Sequence, residues 1–414
     1  MTNIKNNHYT PLIPEEAAMA LVREWSLRER NGDKNARQLA AQELKAFLVE
    51  TADGTYTLKS EIKDDSSETM HTTHGALREA REKFAEPSQL RGRKNIAILD
   101  ICSGLGVNAA AALENLKDPI QGWKMEHLVL DMVEISWETL AATLIIPRIS
   151  EYHDIIRKAV ENYLVDHGLL AFSREEKEIP PSVDIRVHCK DARKVVVEIP
   201  ETTEYDAVFL DPFSPARSPE LYTNEFLSKL ANLLKNDGVI LTYTSAAPVR
   251  YALLNAGLEI GEGPVLGRSG GTIASPSRNR ITKPLKATDE RMVALSDAGI
   301  PYRDPDLNAS TEDILNNRHK ERMEVRGESK LASTVKTPVY LVSDVGEERQ
   351  KRRVLKHLQK FNINSLNDSK SRFLVCPQFP QCICHCNLER PATSRGRIKE
   401  MEKRMESISH LLKI

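Results

Sequence analysis

Net charge is nearly absent from this chain of 414 residues: 58 lysines and arginines against 59 aspartates and glutamates leave −1. A global basic field is therefore not available to attract nucleic acid, although local patches stay open. The N-terminus is polar and carries no apolar signal segment. No apolar run approaches the roughly 20 residues of a membrane helix. The expectation is a soluble, cytoplasmic protein with no membrane partner. Cysteine is scarce over most of the chain, where Cys102 and Cys189 stand singly. It crowds at the end, as Cys376, Cys382, Cys384 and Cys386. Apolar residues are not lacking: at 40% they supply a sizeable core. The length suggests two or three domains.

One stretch organises the rest, Ile96-Ala-Ile-Leu-Asp-Ile-Cys-Ser-Gly-Leu-Gly-Val-Asn-Ala109. Ile96 to Leu99 is a short apolar run that reads as a buried parallel strand. It ends on an acid, Asp100. Gly104 and Gly106 follow, and small residues from Asn108 to Ala112 are good helix material. Such a corner lets backbone approach a ligand closely and offers free N–H groups at the helix start. A pyrophosphate usually needs G-x-G-x-x-G, and here Ala109 holds the third glycine's place. D-x-x-x-G-x-G suits a nucleoside ligand without a pyrophosphate, such as S-adenosyl-L-methionine. The plainer reading is a tight strand–helix turn of some other α/β domain.

The remaining elements frame this corner. Residues 1–50 read as helical, and Asp53-Gly54 is a turn before a short strand, Thr55–Leu58. His71 and His74, three apart, raise the question of a metal. No third ligand stands nearby, and a loop that lines a site and caps a helix from Gly75 is the stronger reading. An alternating β/α rhythm then predicts a doubly wound, mostly parallel sheet. Met125–Val133 is a strand closed by Glu134, where a carboxylate can grip a ribose diol or cap a helix. A helical segment spans roughly 136–170. Val183–Cys189 is a strand closed by Lys190-Asp191-Ala192, with Asp191 either accepting from an adenine amino group or capping the next helix. Ala207–Leu210 delivers Asp211 to the carboxyl edge of the sheet, and Pro212 and Pro215 stiffen the loop beyond. Glu220–Leu234 is a helix, Asn236-Asp-Gly238 a turn, Val239–Thr244 a strand and Val249–Ala256 a helix. Leu258–Ile260 and Gly271–Ala274 form a closing antiparallel hairpin.

From about residue 276 the composition changes. Pro276–Lys286 reads as a linker, 288–298 and 311–326 as helices, and Pro338–Val342 as a β-like run. Arg349 onward is a basic helical face, either solvated or phosphate-binding. Four cysteines within eleven residues suit zinc or, second, an iron–sulfur cluster. The spacing fits no common C-x-x-C pair, so a redox disulfide and no ligand at all stay open. A charged helix, Ile398–Leu412, ends the chain. Three regions result: a helical extension over 1–52, a cofactor-binding domain over 53–275, and a smaller α+β region over 276–414.

Three stretches together resemble the MnmC-like methyltransferase family, over about 55–275. The first is Asp53-Gly-Thr-Tyr-Thr-Leu with Glu68 to Glu79, similar to the family's N-terminal signature. The second is the Asp100–Asn108 corner. The third is Phe209-Leu-Asp-Pro-Phe-Ser-Pro-Ala-Arg-Ser-Pro-Glu-Leu-Tyr-Thr with Leu241-Thr-Tyr-Thr-Ser-Ala-Ala-Pro-Val-Arg and Gly267-Arg268. The resemblance implies a Rossmann-like class I methyltransferase that uses S-adenosyl-L-methionine. It also implies a tRNA substrate, since bacterial members complete an aminomethyl uridine at the wobble position. Asp211 would lie next to the methyl acceptor. Glu68, Asp100, Gly104, Gly106, Asn108, Glu134, Asp191 and Ala192 would surround the cofactor. Met70 and Tyr222 replace the family's usual tyrosine and tryptophan, Ser269-Gly-Gly-Thr-Ile replaces the residues that follow Gly-Arg, and a different C-terminal region replaces the oxidoreductase domain. Two rivals follow from these departures: a methyltransferase of protein side chains, and a non-catalytic cofactor- or RNA-binding scaffold.

Overall fold

The computed structural model describes residues 12–62, 67–72, 74–118, 122–200, 202–266 and 269–410. Gly267-Arg268 of the sequence motif, and the last residues of the expected final helix, lie outside them. The central sheet has seven strands: β1 Asn95–Ile101, β2 His127–Glu134, β3 Val183–Cys189, β4 Tyr205–Leu210, β5 Leu234–Thr242, β6 Glu259–Leu266 and β7 Ser269–Ser275. Their spatial order is β6-β7-β5-β4-β1-β2-β3. β1 to β5 run parallel, and β7 pairs antiparallel with both of its neighbours. The chain thus winds outward from β1 in one direction and from β4 in the other. Ligands of doubly wound sheets bind at that reversal, beyond the carboxyl ends of the strands.

Strand alternation explains what each face carries. Ile96 and Ile98 of β1, Leu128, Leu130 and Met132 of β2, and Ala207 and Phe209 of β4 share one apolar cluster. Trp25 of the helix Glu16–Arg30, the helix Val107–Leu116 and Ile156 of the helix Glu151–Asp166 complete it. Leu99, Ile101, Val133, Val208 and Leu210 point the other way, into a cluster with Phe226, Leu253, Val354, Met401 and Ile408. Continuing the first face by one step of two puts Asp100, Glu134 and Asp211 on it. Three acids therefore share a face of the sheet because each stands in register with an apolar series.

Several elements differ from the sequence reading. The stretch 136–170 is two helices, Trp137–Ala142 and Glu151–Asp166. Pro147 lacks the donor an unbroken helix would need, and Ser136 and Ser150 each cap a new start, accepting from Thr139 N and His153 N. The helix expected over Glu220–Leu234 begins as a 3-10 turn, Pro219–Tyr222, and restarts as Asn224–Asn232 under a Thr223 cap. Pro338–Val342 forms no strand. Thr337–Tyr340 is a 3-10 turn, consistent with a proline that cannot donate to a ladder but is at home in a first helical turn. Asn236-Asp-Gly238 is a bulge inside β5, where pairing jumps from Tyr205–Leu234 to Ala207–Val239. The segment read as a linker packs along the outer edge of β6: Lys283 O accepts from Glu262 N at 2.9 Å, and Leu285 is buried. It covers an edge that would otherwise offer unpaired backbone groups.

Candidate active site

The corner after β1 is built on left-handed backbone. Cys102 has φ 62°, Gly104 53° and Gly106 75°. Gly106 has no room for a side chain, since a Cβ there would sit 2.6 Å from Ile156 Cγ2. His153 braces the turn from behind, its Nε2 donating to Leu105 O at 2.8 Å. Burial pushes the His153 imidazole down to about 4, so it stays neutral.

Each acid of the shared face meets a different environment. Asp100 has no exposed surface, and neither carboxylate oxygen has a hydrogen-bond partner among the described residues. Burial pushes its carboxyl up to about 7. Glu134 is also buried, but its oxygens accept from Gly104 N at 3.1 Å and Ser136 N at 3.0 Å. Burial raises its proton affinity against the pull of those two bonds. Asp211 accepts from Asn108 Nδ2 at 2.8 Å, and its own N–H donates to Ile101 O at 3.2 Å. Enclosure first, then the charge of Glu79, pushes its carboxyl well above the usual range.

A cavity of about 470 Å³ opens over these strand ends. That is a volume suited to a small-molecule ligand. Among the residues singled out from sequence, Glu68, Gly104, Glu134, Asp191, Ala192 and Asp211 line it. Asp100, Gly106 and Asn108 stand behind the lining and hold it. Asp191 caps the helix Ala192–Glu198 through Arg193 N at 2.9 Å and pairs with the Arg193 guanidinium at 2.9 Å. Arg193 in turn reaches Asp304 of the C-terminal region at 3.0 Å. Glu68 closes the cavity: its oxygens accept from Ser214 Oγ at 2.5 Å and Ser214 N at 3.0 Å, tying the loop after β4 to the N-terminal segment.

The structure adds residues that sequence reasoning did not assign. Glu79, buried in the cavity wall, pairs with Lys83 at 2.6 Å and accepts from Thr72 N at 2.7 Å. Lys83 Nζ lies 5.6 Å from the centre of the Tyr243 ring. Tyr243 and Tyr222 both donate to Pro212 O, at 3.0 and 3.3 Å, and fix the loop that begins at Asp211. Glu79 lay inside the Glu68–Glu79 motif stretch, which was the available signal. Asp53 does more than turn the chain, because its Oδ2 accepts from Arg78 N at 3.0 Å. A Cβ on Gly75 would lie 2.5 Å from Asp53, so the two motif residues require each other. His71 and His74 do not converge: the first is buried against the cavity and the second is exposed. The loop does line the site, through Met70, His71 and Thr72. None of the four C-terminal cysteines lines it.

Chemically, this is a cavity rich in acceptors, with Glu68, Glu79, Glu134, Asp191, Asp211 and Glu220 on its walls. Such a lining favours cations and polyhydroxylated ligands over anions. An acid-rich lining beside a glycine turn fits a ligand that is cationic at one end and carries a ribose. No helix among the described residues is long and apolar enough to cross a membrane.

Comparison with known proteins agrees with this geometry. Residues 150–276 match the family model described as S-adenosyl-L-methionine-dependent methyltransferase. An uncharacterized protein of Methanocaldococcus jannaschii is 34% identical over 360 residues, which is 86% of this chain and 94% of that protein. The tRNA 5-methylaminomethyl-2-thiouridine biosynthesis bifunctional protein MnmC of Azoarcus sp. is 26% identical over 236 residues, 56% of this chain but 36% of that protein. The chain therefore spans little more than a third of that bifunctional relative's length. The crystal structure of MNMC2 from Aquifex aeolicus aligns with a TM-score of 0.53 and 26% identity, over 75% of this chain and 99% of that one. The sheet order, the Asp100–Gly106 corner and these likenesses show that the chain belongs to the MnmC-like family of S-adenosyl-L-methionine-dependent methyltransferases.

Proposed function

We propose that the methyl acceptor is an amine nitrogen on a tRNA base, an aminomethyl group of a wobble uridine. The observation that carries this reading is Asp211, held by Asn108 at 2.8 Å on the wall of an acid-rich cavity. The relatives named for tRNA 5-methylaminomethyl-2-thiouridine biosynthesis support the same class of acceptor. S-adenosyl-L-methionine supplies a sulfonium methyl already activated for transfer, so positioning accounts for much of the catalysis. In this reading the Gly104–Gly106 turn and Asp100 form the floor under the cofactor's amino acid end. Glu134 holds the ribose, while Asp191 and Ala192 face the adenine. Glu68 keeps the 212–217 loop closed over the site. Asp211 accepts a hydrogen bond from the amine, turns its lone pair toward the methyl group, and takes the proton after transfer. Its raised proton affinity suits that last task.

The test is methyl transfer from labelled cofactor to bulk tRNA and to bulk protein, followed by nucleoside analysis. Label on an aminomethyl uridine is the expected result. Label in protein alone, or on a ring carbon of the base, would overturn the acceptor assignment while leaving the methyltransferase in place.

A further inference from the structure

Four thiols converge far from the cofactor corner in sequence. Cys376 directly follows the helix Ser369–Val375. Cys382, Cys384 and Cys386 belong to the stretch 379–393, which contains no helix or strand. Fifteen residues without secondary structure need something else to order them. The four sulfur atoms lie within 4.8 Å of one another. Cys376 Sγ is 3.9 Å from Cys382 Sγ, and Cys382 Sγ is 3.8 Å from Cys386 Sγ. A disulfide would bring a pair to about 2.05 Å. Four sulfurs about 2.3 Å from one zinc ion, at the corners of a tetrahedron, stand about 3.8 Å apart. An iron–sulfur cluster spreads its cysteines over several irons, whereas thiols in mutual contact suit one ion.

The local backbone produces this convergence. Cys382, Cys384 and Cys386 alternate, so an extended chain would send them to one side in a row. His385 at φ 62° bends that row between Cys384 and Cys386, and Asn387 at φ 51° turns the chain away after it. Histidine and asparagine are among the side chains that adopt left-handed backbone most readily, which makes such a bend accessible here. Ile383 N donates to Cys376 Sγ at 3.3 Å. Arg390 reaches Cys386 Sγ at 3.9 Å, and Arg404 reaches Cys386 at 3.5 Å and Cys384 at 3.8 Å. A divalent ion among four thiolates keeps a double negative charge, which two guanidiniums are placed to offset. Arg404 itself is held by Glu400 at 2.8 Å and by Phe373 O at 2.7 Å. Outer contacts of this kind orient metal ligands.

We infer that Cys376, Cys382, Cys384 and Cys386 bind one zinc ion, in a closed site that fixes the final helix, Ser394–His410, against the sheet. Four protein ligands leave no open position for water or substrate, which makes the role structural. The helix it anchors buries Ile398, Met401, Met405 and Ile408. That helix also carries Glu402, which accepts from Tyr251 Oη at 2.6 Å and Lys330 Nζ at 3.0 Å.

The full chain, purified reduced and without chelator, should carry about one zinc per chain by elemental analysis. Less than a tenth of an equivalent, or one iron in its place, overturns the assignment. Cobalt exchanged into the protein should show the visible absorption of a tetrahedral thiolate site, and a colourless cobalt protein counts equally against it. The Cys382→Ser, Cys384→Ser double variant should lose the ion and exchange amide hydrogens faster over 394–410, with β1 to β5 still protected. Retention of zinc by that variant would show the ligand set to be wrong. If the variant does not fold, wild-type protein stripped by a thiol reagent with chelator gives the same hydrogen-exchange readout. Unchanged protection over 394–410 in the stripped protein would overturn the anchoring role.

Discussion

Replacing Asp100 with asparagine removes a charge and changes the shape of the site very little. The wild-type carboxylate has no exposed surface and no hydrogen-bond partner among the described residues, and burial lifts it from 3.8 to about 7. A carboxyl whose folded-state value is raised stabilises the fold fully only below its unfolded value. That contribution is lost as pH climbs, and the loss is complete once pH passes the folded value. The gap of about three units corresponds to about 4 kcal/mol of destabilisation above neutral pH. Part of the loss is already present in mild acid, so the change between about pH 5 and about pH 8 is about 3 kcal/mol. The asparagine amide must also be buried, at about 1–3 kcal/mol, but that cost does not vary with pH. Urea unfolding of both proteins at the two pH values isolates the effect, because other titrating groups cancel in the difference. The variant should gain on the wild type by about 3 kcal/mol on going from the acid to the alkaline condition. A difference between the two proteins that stays constant within about 0.5 kcal/mol would refute the idea that Asp100 is an uncompensated buried charge.

Asp211→Asn should still bind S-adenosyl-L-methionine, since the amide oxygen can accept from Asn108, while turnover falls about a hundredfold. Near-normal turnover with the true acceptor would reduce Asp211 to a loop cap. Glu134→Ala should weaken cofactor binding by about 1–3 kcal/mol in calorimetry, and unchanged affinity would remove it from the site. Gly106→Ala should lower stability by about 1–3 kcal/mol, because the new methyl group meets Ile156 and the left-handed backbone is wrong for alanine. A thermal melt coincident with wild type would contradict that packing. Arg193→Ala should cost about 1–3 kcal/mol, because it removes the cation shared by Asp191 and buried Asp304, and a denaturant midpoint near wild type would show that the Asn308 and Ala309 N–H groups suffice for Asp304.

The acids of the site were legible because each ends or follows an apolar strand, and strands announce themselves by short β-rich runs. The face they share was legible too, in the alternation Ile96, Ile98, Asp100 and its counterparts. Roles that depend on contacts distant in sequence were hidden. Glu68 was singled out through its motif stretch, but its hold on Ser214, 146 residues away, appears only in the fold. Glu79 and Lys83 form a local pair, but nothing in their spacing places Tyr243 beside them. Pro338–Val342 misled because β-branched residues weigh on a strand reading, while the proline decides the backbone. The thiol cluster was visible as a density of cysteines, yet its convergence involves a left-handed bend at His385, which no composition reveals.

Leu99 and Ile101 in the middle of the sheet share one continuous apolar cluster with Ile398, Met401 and Ile408 near the chain's other end. The composition change near residue 276 is therefore a boundary in sequence but not in the core. A chain stopped after β7 would bare the outer side of the helix Ala247–Asn255 and leave Arg193 with half of its counter-charge. The C-terminal third is an outer layer laid over the helices that cover the sheet, and shortening the enzyme to its recognisable motif would turn the buried side of that layer's seat toward water.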